Sequence, residues 1–357
     1  MKMSFNSIWA RQIMLSIILF FVCHSISAQG DMLFESEEIL EFTIETDVRH
    51  FFRERGEEST YFDATIHYGD GQKTFDFPLR VKTRGHFRKL SSNCRYPPVL
   101  LNFIKDMIPG DCIFKGQDKI KLVMPCVGDD YVIHEYLVYK LYNFITQKSF
   151  KARLVKVMFH DSEKGKDTGP LLGILLEEEG QMANRNQSES VSIENMRPRE
   201  TQKGDFLKMA VFQYMIGNTD WSVQFQQNIK LISKKDSDEL VAVPYDFDHA
   251  GIVRAPYAKP APELLMESTQ QRRYRGYCID DMSEFEETFK LFNDLKDDFY
   301  AIYTENPHLS GKYRKQTLSF LDDFYETINN PDKAEKDFMY PCDPSGTGNV
   351  VIRGLRE

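Results

Sequence analysis

Residues Gly217–Ala250 read GNTDWSVQFQQNIKLISKKDSDELVAVPYDFDHA, and their pattern decides how the chain is read. NIKLISKK and LVAVPYDF are apolar-rich segments joined by the polar turn DSDE, which predicts two antiparallel strands. Asn228 opens the first strand and Asp246 closes the second. In an antiparallel pair the start of one strand lies beside the end of the next, so these two residues are expected to face one small volume. Asp220, in the loop before the hairpin, reaches the same volume, and Asp248 follows closely. Two acids and a carboxamide suit a hard divalent cation such as Mg²⁺, which takes a few oxygen ligands and completes its shell with waters and phosphates. A further Asp held off the metal can orient or deprotonate a hydroxyl, the division of labour in phosphoryl transfer. Metal-assisted hydrolysis uses similar parts. The bland alternative is that these residues only form Asx-turns and caps, and the turn acids Asp236, Asp238 and Glu239 are read that way. His249 is read as structural and Trp221 as a packing residue.

Working outward, Asp205–Gly217 (DFLKMAVFQYMIG) predicts a compact apolar helix stopped by glycine. Glu284–Glu305 and Lys312–Asn330 predict two amphipathic helices with aromatic faces. The arginines of QQRRYRGYC, Arg272, Arg273 and Arg275, are read as a solvated helix end rather than an acidic-ligand site. TGNVVIRGL is read as a closing strand.

The half before the hairpin is rich in strands. ILEFTIETD predicts a strand and Asp47 opens a short helix. YFDATIHYGDGQKTFDFPLRVKTRG alternates around GDG, a hairpin signal. KIKLVMPC predicts another strand, and DDYVIHEYLVYKLYNFIT an acid-started helix with Val132, Tyr136, Tyr139 and Leu141 on one face. RLVKVMFH and PLLGILLEEE predict a second hairpin, and the polar stretch after it a loop or insertion. The order of elements gives an α+β chain. We divide it into a signal peptide (1–28), a β-rich N-terminal lobe (29–183), a polar linker or insertion (184–204), a mainly helical C-terminal lobe (205–340) and a tail (341–357), with a cleft between the lobes.

The first segment follows the secretory pattern, Lys2 and Arg11 before the apolar run IMLSIILFFVCHSIS. Export to periplasm, cell surface or medium is expected, with membrane association only if the signal stays uncleaved. Loss of Lys2 and Arg11 takes the formal charge from −9 to −11, which argues against nucleic acid as a partner. Cys94, Cys112, Cys126, Cys278 and Cys342 remain, at spacings that fit no zinc pattern. Cys94 and Cys126 flank predicted strands and are the first choice for a disulfide. No G-x-S-x-G or H-E-x-x-H occurs.

An apolar helix, GNTDW, an Asn eight residues after Asp220, a strand pair and PYDFD together resemble the spore-coat CotH kinase family, and more distantly HipA-like and secretory-pathway atypical kinases. RVKTRG is similar to that family's RxRG segment, and GPLLGILLEEE to its strand ending in a hinge acid. The resemblance implies an atypical protein-kinase-like fold. It makes Asp220 the catalytic acid, Asn228 and Asp246 Mg²⁺ (or Mn²⁺) ligands, and Asp248 a second metal-binding or structural acid. Arg84 then faces the phosphates of ATP. Lys121 contacts phosphate and pairs with Glu135, with Lys119 an equal rival on spacing, and Glu177 or Glu178 marks the adenine hinge. The chain departs from kinases in having no GxGxxG loop. The implied activity is phosphate transfer to a hydroxyl of a protein, such as an envelope or surface protein. A non-catalytic kinase-like binding module and a metal-dependent hydrolase are the competing readings.

Overall fold

A computed structural model of the chain describes residues 32–350. The expected signal peptide lies outside the described residues. The first half builds strands β1 (Leu40–Thr46), β2 (Phe62–Gly69), β3 (Thr74–Thr83), β4 (Val99–Phe103), β5 (Lys119–Val123), β6 (Ala152–Asp161), the two-residue β7 (Lys166–Asp167) and β8 (Leu171–Leu176). Their order is β1-β2-β3-β4-β5-β8-β6, with β7 on the rim against β6. β1 also pairs in parallel with β6, from Leu40 opposite Val155 to Thr46 opposite Asp161, and so closes the sheet into a seven-stranded barrel. The resemblance implied a kinase-like β-rich lobe, and barrel closure departs from that architecture.

Alternation fills the barrel. On β3 every second residue from Phe75 to Val81 is buried, as expected when side chains alternate between core and outside. Phe114, from the β4–β5 connection, plugs the interior: its ring stacks on Phe103 at 5.4 Å and meets Phe42 edge-on at 5.7 Å. The short helix α1 (Val48–Arg53) begins at Asp47, whose side chain accepts from the His50 N–H.

Helix α2 (Asp129–Ile145) lies between barrel and second half. Its residues Val132, Tyr136, Leu141 and Tyr142 are buried in one core with the helices of the second half, and Tyr142 meets Phe212 at 4.7 Å. The second half holds α3 (Glu179–Arg185), β9 (Ser188–Val191), α4 (Lys203–Met215), β10 (Ile229–Lys234), β11 (Leu240–Pro244), α5 (Glu286–Asp294), α6 (Lys296–Thr304), α7 (Gly311–Ile328) and α8 (Pro331–Phe338). The segment read as one helix from Glu284 is broken at Leu295 into α5 and α6. The stretch read as a linker or insertion contains β9, which pairs antiparallel with β10 in a sheet ordered β11-β10-β9. Thr347–Asn349, read as the start of a closing strand, is a 3-10 turn capped by Val350; from residue 351 the segment lies outside the described residues.

The expected disulfide, Cys94–Cys126, is present, and Cys278–Cys342 is a second. Cys112 is buried and free.

Candidate active site

The hairpin β10–β11 sets Ile229 opposite Pro244, so Asn228 and Asp246 leave its open end side by side. The Tyr245 N–H donates to the Asn228 carbonyl at 3.1 Å. Both Asn228 (φ 50°) and Asp246 (φ 61°) sit in the left-handed region, as does Gln226 (φ 48°). That conformation costs about 1 kcal/mol for a non-glycine residue, and such strain gathers at functional sites. Above them the chain leaves β3 through Gly85, whose φ of +87° favours glycine. The turn puts Arg84 and the segment His86–Arg88 at the barrel rim.

Between rim and hairpin lies a cavity of about 550 Å³, within the range of small-molecule sites. Six of the nine residues singled out from the sequence line it: Arg84, Lys121, Asp220, Asn228, Asp246 and Asp248. Lys121 lies on the cavity wall and Lys119 is exposed outside it.

Asp220 is oriented by Asn228, whose Nδ2 donates to the Asp220 carboxylate at 3.0 Å and to its carbonyl at 2.8 Å. That leaves the amide oxygen Oδ1 of Asn228 as the atom open to a cation. Burial pushes the Asp220 carboxyl above its ordinary range against the pull of His249, and Asp248 adds to the rise. The Asp246 carboxylate makes no hydrogen bond or ion pair with another described residue; its N–H donates to the Tyr139 hydroxyl at 2.9 Å. Burial and the neighbouring Asp248 raise Asp246 too. A half-buried carboxylate with no hydrogen-bond or ion-pair partner among the described residues, beside an amide oxygen, is the donor chemistry of a divalent-cation site. Among the described residues no three His, Cys, Asp or Glu side chains gather as a metal site. Asp246 and Asn228 supply two oxygen donors, so a cation held there would draw its other ligands from water and phosphate.

Across the cavity, the Lys121 ammonium sits 4.3 Å from the centre of the Tyr245 ring and has no carboxylate partner among the described residues. Burial lowers it to about 8, with Arg84 and Lys230 adding to the fall. An anion in the cavity would reverse that shift.

Three residues stand apart from this lining. Glu135, expected to pair with Lys121, pairs instead with Arg88, whose Nη1 is 3.3 Å from its carboxylate. Arg88 is interposed between β5 and α2, since its Nη2 also donates to the Met124 carbonyl at 2.6 Å. Glu177 is committed elsewhere: Arg185 Nη2 donates to it at 2.9 Å, and so does the Lys151 N–H, also at 2.9 Å. Glu178 caps α3, accepting from the Gln181 N–H at 3.0 Å.

The arginines read as a solvated helix end are turned inward in an irregular segment. Arg272 donates to the Met215 and Phe320 carbonyls, Arg273 to the Leu264 carbonyl and Tyr340 hydroxyl. Arg275 donates to the carbonyls of Thr219 and Trp221 and so clamps the loop on both sides of Asp220. Trp221 is buried, edge-on to Phe206. His249 lines the cavity and packs against Phe87 and Tyr257. Sequence reasoning passed over Arg88, Tyr139, Tyr257 and Arg275 as parts of the site. A buried charge or hydroxyl has no periodic signature, and only the spacing of the acids offered one.

No family model matches the chain, and no curated protein matches it. Among solved structures the chain is similar to the Helicobacter pylori proinflammatory kinase CtkA, at 11% identity and a TM-score of 0.42, over 72% of this chain and 94% of that one. A likeness of that size assigns no activity.

Proposed function

We propose that the chain is an exported, Mg²⁺-dependent phosphotransferase that passes the terminal phosphoryl group of ATP to a hydroxyl of a protein, such as an envelope or surface protein. One juxtaposition carries this reading. An Asp246 carboxylate without a hydrogen-bond or ion-pair partner among the described residues and the amide oxygen of Asn228, both on left-handed backbone, line one cavity with Lys121, which has no carboxylate partner among those residues.

Asn228 and Asp246 would hold the cation, which would supply charge to neutralise and orient phosphate oxygens. Lys121 and Arg84 meet the phosphate oxygens from the barrel side, and the partial neutralisation of Lys121 is reversed as they arrive. Asp220, its carboxylate aimed by Asn228, accepts the hydrogen bond of the incoming hydroxyl and takes its proton as the hydroxyl oxygen bonds to the terminal phosphorus and the bond from that phosphorus to the bridging oxygen breaks, releasing ADP. Its raised position suits a group that must hold that proton. The two disulfides suit an oxidising compartment, and the formal charge of −9 turns away polyanions as acceptors.

The test is transfer of labelled terminal phosphate from ATP, with Mg²⁺, to the chain itself and to envelope proteins. Wild type labels an acceptor, whereas Asp220→Asn binds nucleotide but does not label. Equal labelling by Asp220→Asn removes the catalytic role. Tight nucleotide binding with no labelling by either protein leaves a binding module in its place.

A further inference from the structure

Asp246 and Asp248 flank one phenylalanine, yet their surroundings differ. The Asp246 carboxylate has no hydrogen-bond or ion-pair partner among the described residues, but the Asp248 carboxylate is already partnered from within the chain. The Tyr257 hydroxyl donates to its Oδ2 at 3.1 Å, and Arg88 Nη1 lies 3.6 Å from the same oxygen. The same nitrogen reaches Glu135 on α2 at 3.3 Å, so one guanidinium spans an acid of each half of the molecule. Arg88 is only 9% exposed and Glu135 only 1%. A guanidinium does not lose its proton, so this positive charge is permanent.

Arg88 is also fixed in place. Its Nη2 is bonded to the Met124 carbonyl, the neighbouring Lys89 donates to the Gly56 carbonyl, and Asn93 Nδ2 donates to the Phe87 carbonyl at 2.9 Å. The Cys94–Cys126 disulfide ties this segment to the chain just past β5. Swinging the Arg88 side chain out would break its bond to Met124 and strand two buried carboxylates.

We propose that Arg88 stands in for a second divalent cation. It bridges Glu135 and Asp248 in the place where a second ion would sit, so the site takes one cation, on Asp246 and Asn228. Asp248 is then a positioning residue rather than a metal ligand, and Lys121 is released from pairing with Glu135 to meet phosphate. The inference rests on the phosphotransferase reading but makes a separate claim, the number of cations.

The test counts bound Mn²⁺ by electron paramagnetic resonance, on the purified protein saturated with a non-hydrolysable ATP analogue. Wild type is expected to hold one Mn²⁺. Asp248→Asn should also hold one, with affinity little changed from wild type, because the Asp248 carboxylate is spent on Tyr257 and Arg88. Arg88→Gln, with near-ultraviolet circular dichroism to verify its fold, should take up a second Mn²⁺, and Arg88→Lys should not. Two Mn²⁺ in wild type, a large loss of affinity in Asp248→Asn, or a single Mn²⁺ in folded Arg88→Gln overturns the stand-in role. No Mn²⁺ in wild type overturns the phosphotransferase reading itself. The wild-type and Asp248→Asn counts do not depend on how the Arg88 variants fold.

Discussion

His134 lies one position before Glu135 on α2, buried, with its ring stacked on Tyr313 at a centroid distance of 3.4 Å. A carbonyl can only accept, so Nδ1 carries the proton and donates to Val253 at 3.0 Å. Burial lowers this imidazole from 6.5 to about 4, against the pull of the Val253 carbonyl and Asp130. Below pH 6.5 the unfolded chain takes up a proton here that the folded chain refuses down to about pH 4. Folding stability therefore stands in full above 6.5 and is lost as the pH falls through that window. At 1.36 kcal/mol per unit, the span corresponds to about 3 kcal/mol, a large share of the stability of an ordinary domain. Urea unfolding of wild type and His134→Phe, from about pH 7.5 to about pH 4, isolates the effect. The variant leaves the Val253 carbonyl without its donor and should start about 1 kcal/mol less stable. It should then lose less on acidification, so that the two curves cross. Parallel curves over the whole range would refute the reasoning, because they would place the proton uptake elsewhere.

Three further substitutions separate structure from site. A Cβ on Gly251 would lie 2.0 Å from the Thr269 carbonyl oxygen, so Gly251→Ala should destabilise by about 3 kcal/mol, read as a lowered urea midpoint. Lys121→Met removes the charge proposed to meet phosphate, and a charged hydrogen bond is worth about 1.5–3 kcal/mol. It should weaken ATP binding about tenfold or more by calorimetry without lowering the thermal midpoint, since the ammonium has no carboxylate partner to strand. Glu177→Ala leaves Arg185 without its carboxylate and should cost about 3 kcal/mol of stability. It should leave nucleotide affinity within about twofold; a large loss of affinity with stability intact would restore Glu177 as part of the binding site.

What was legible in the sequence was local. The apolar alternation of Phe75–Val81 and the acids at the two ends of NIKLISKK and LVAVPYDF gave the hairpins and the convergence of Asn228 with Asp246. Barrel closure was not legible, because it depends on Leu40–Thr46 pairing in parallel with strand partners more than a hundred residues away. β9 escaped because SESV is polar and joins its sheet through backbone hydrogen bonds. The break at Leu295 carries no proline or glycine to announce it. In the site, the pairing of Lys121 with Glu135 was the natural inference from two charges on adjacent elements. It failed because Arg88 reaches the same carboxylate from a turn whose burial no local pattern reveals. The arginines after Gln271 were misjudged for a related reason, since a run of charges reads as solvent-facing when its partners are distant carbonyls.

The central claim is that Asp246 and Asn228 hold a cation that is needed for nucleotide to bind between barrel and hairpin. Its most direct test is the thermal stability of wild type and Asp246→Asn, each with ATP alone and with ATP and Mg²⁺. At about a hundred times the dissociation constant, a ligand that binds only the folded state adds about 2.7 kcal/mol. Wild type should gain that amount only when ATP and Mg²⁺ are both present, and Asp246→Asn should gain almost nothing. Equal stabilisation of the two proteins, or none of wild type, would contradict the account.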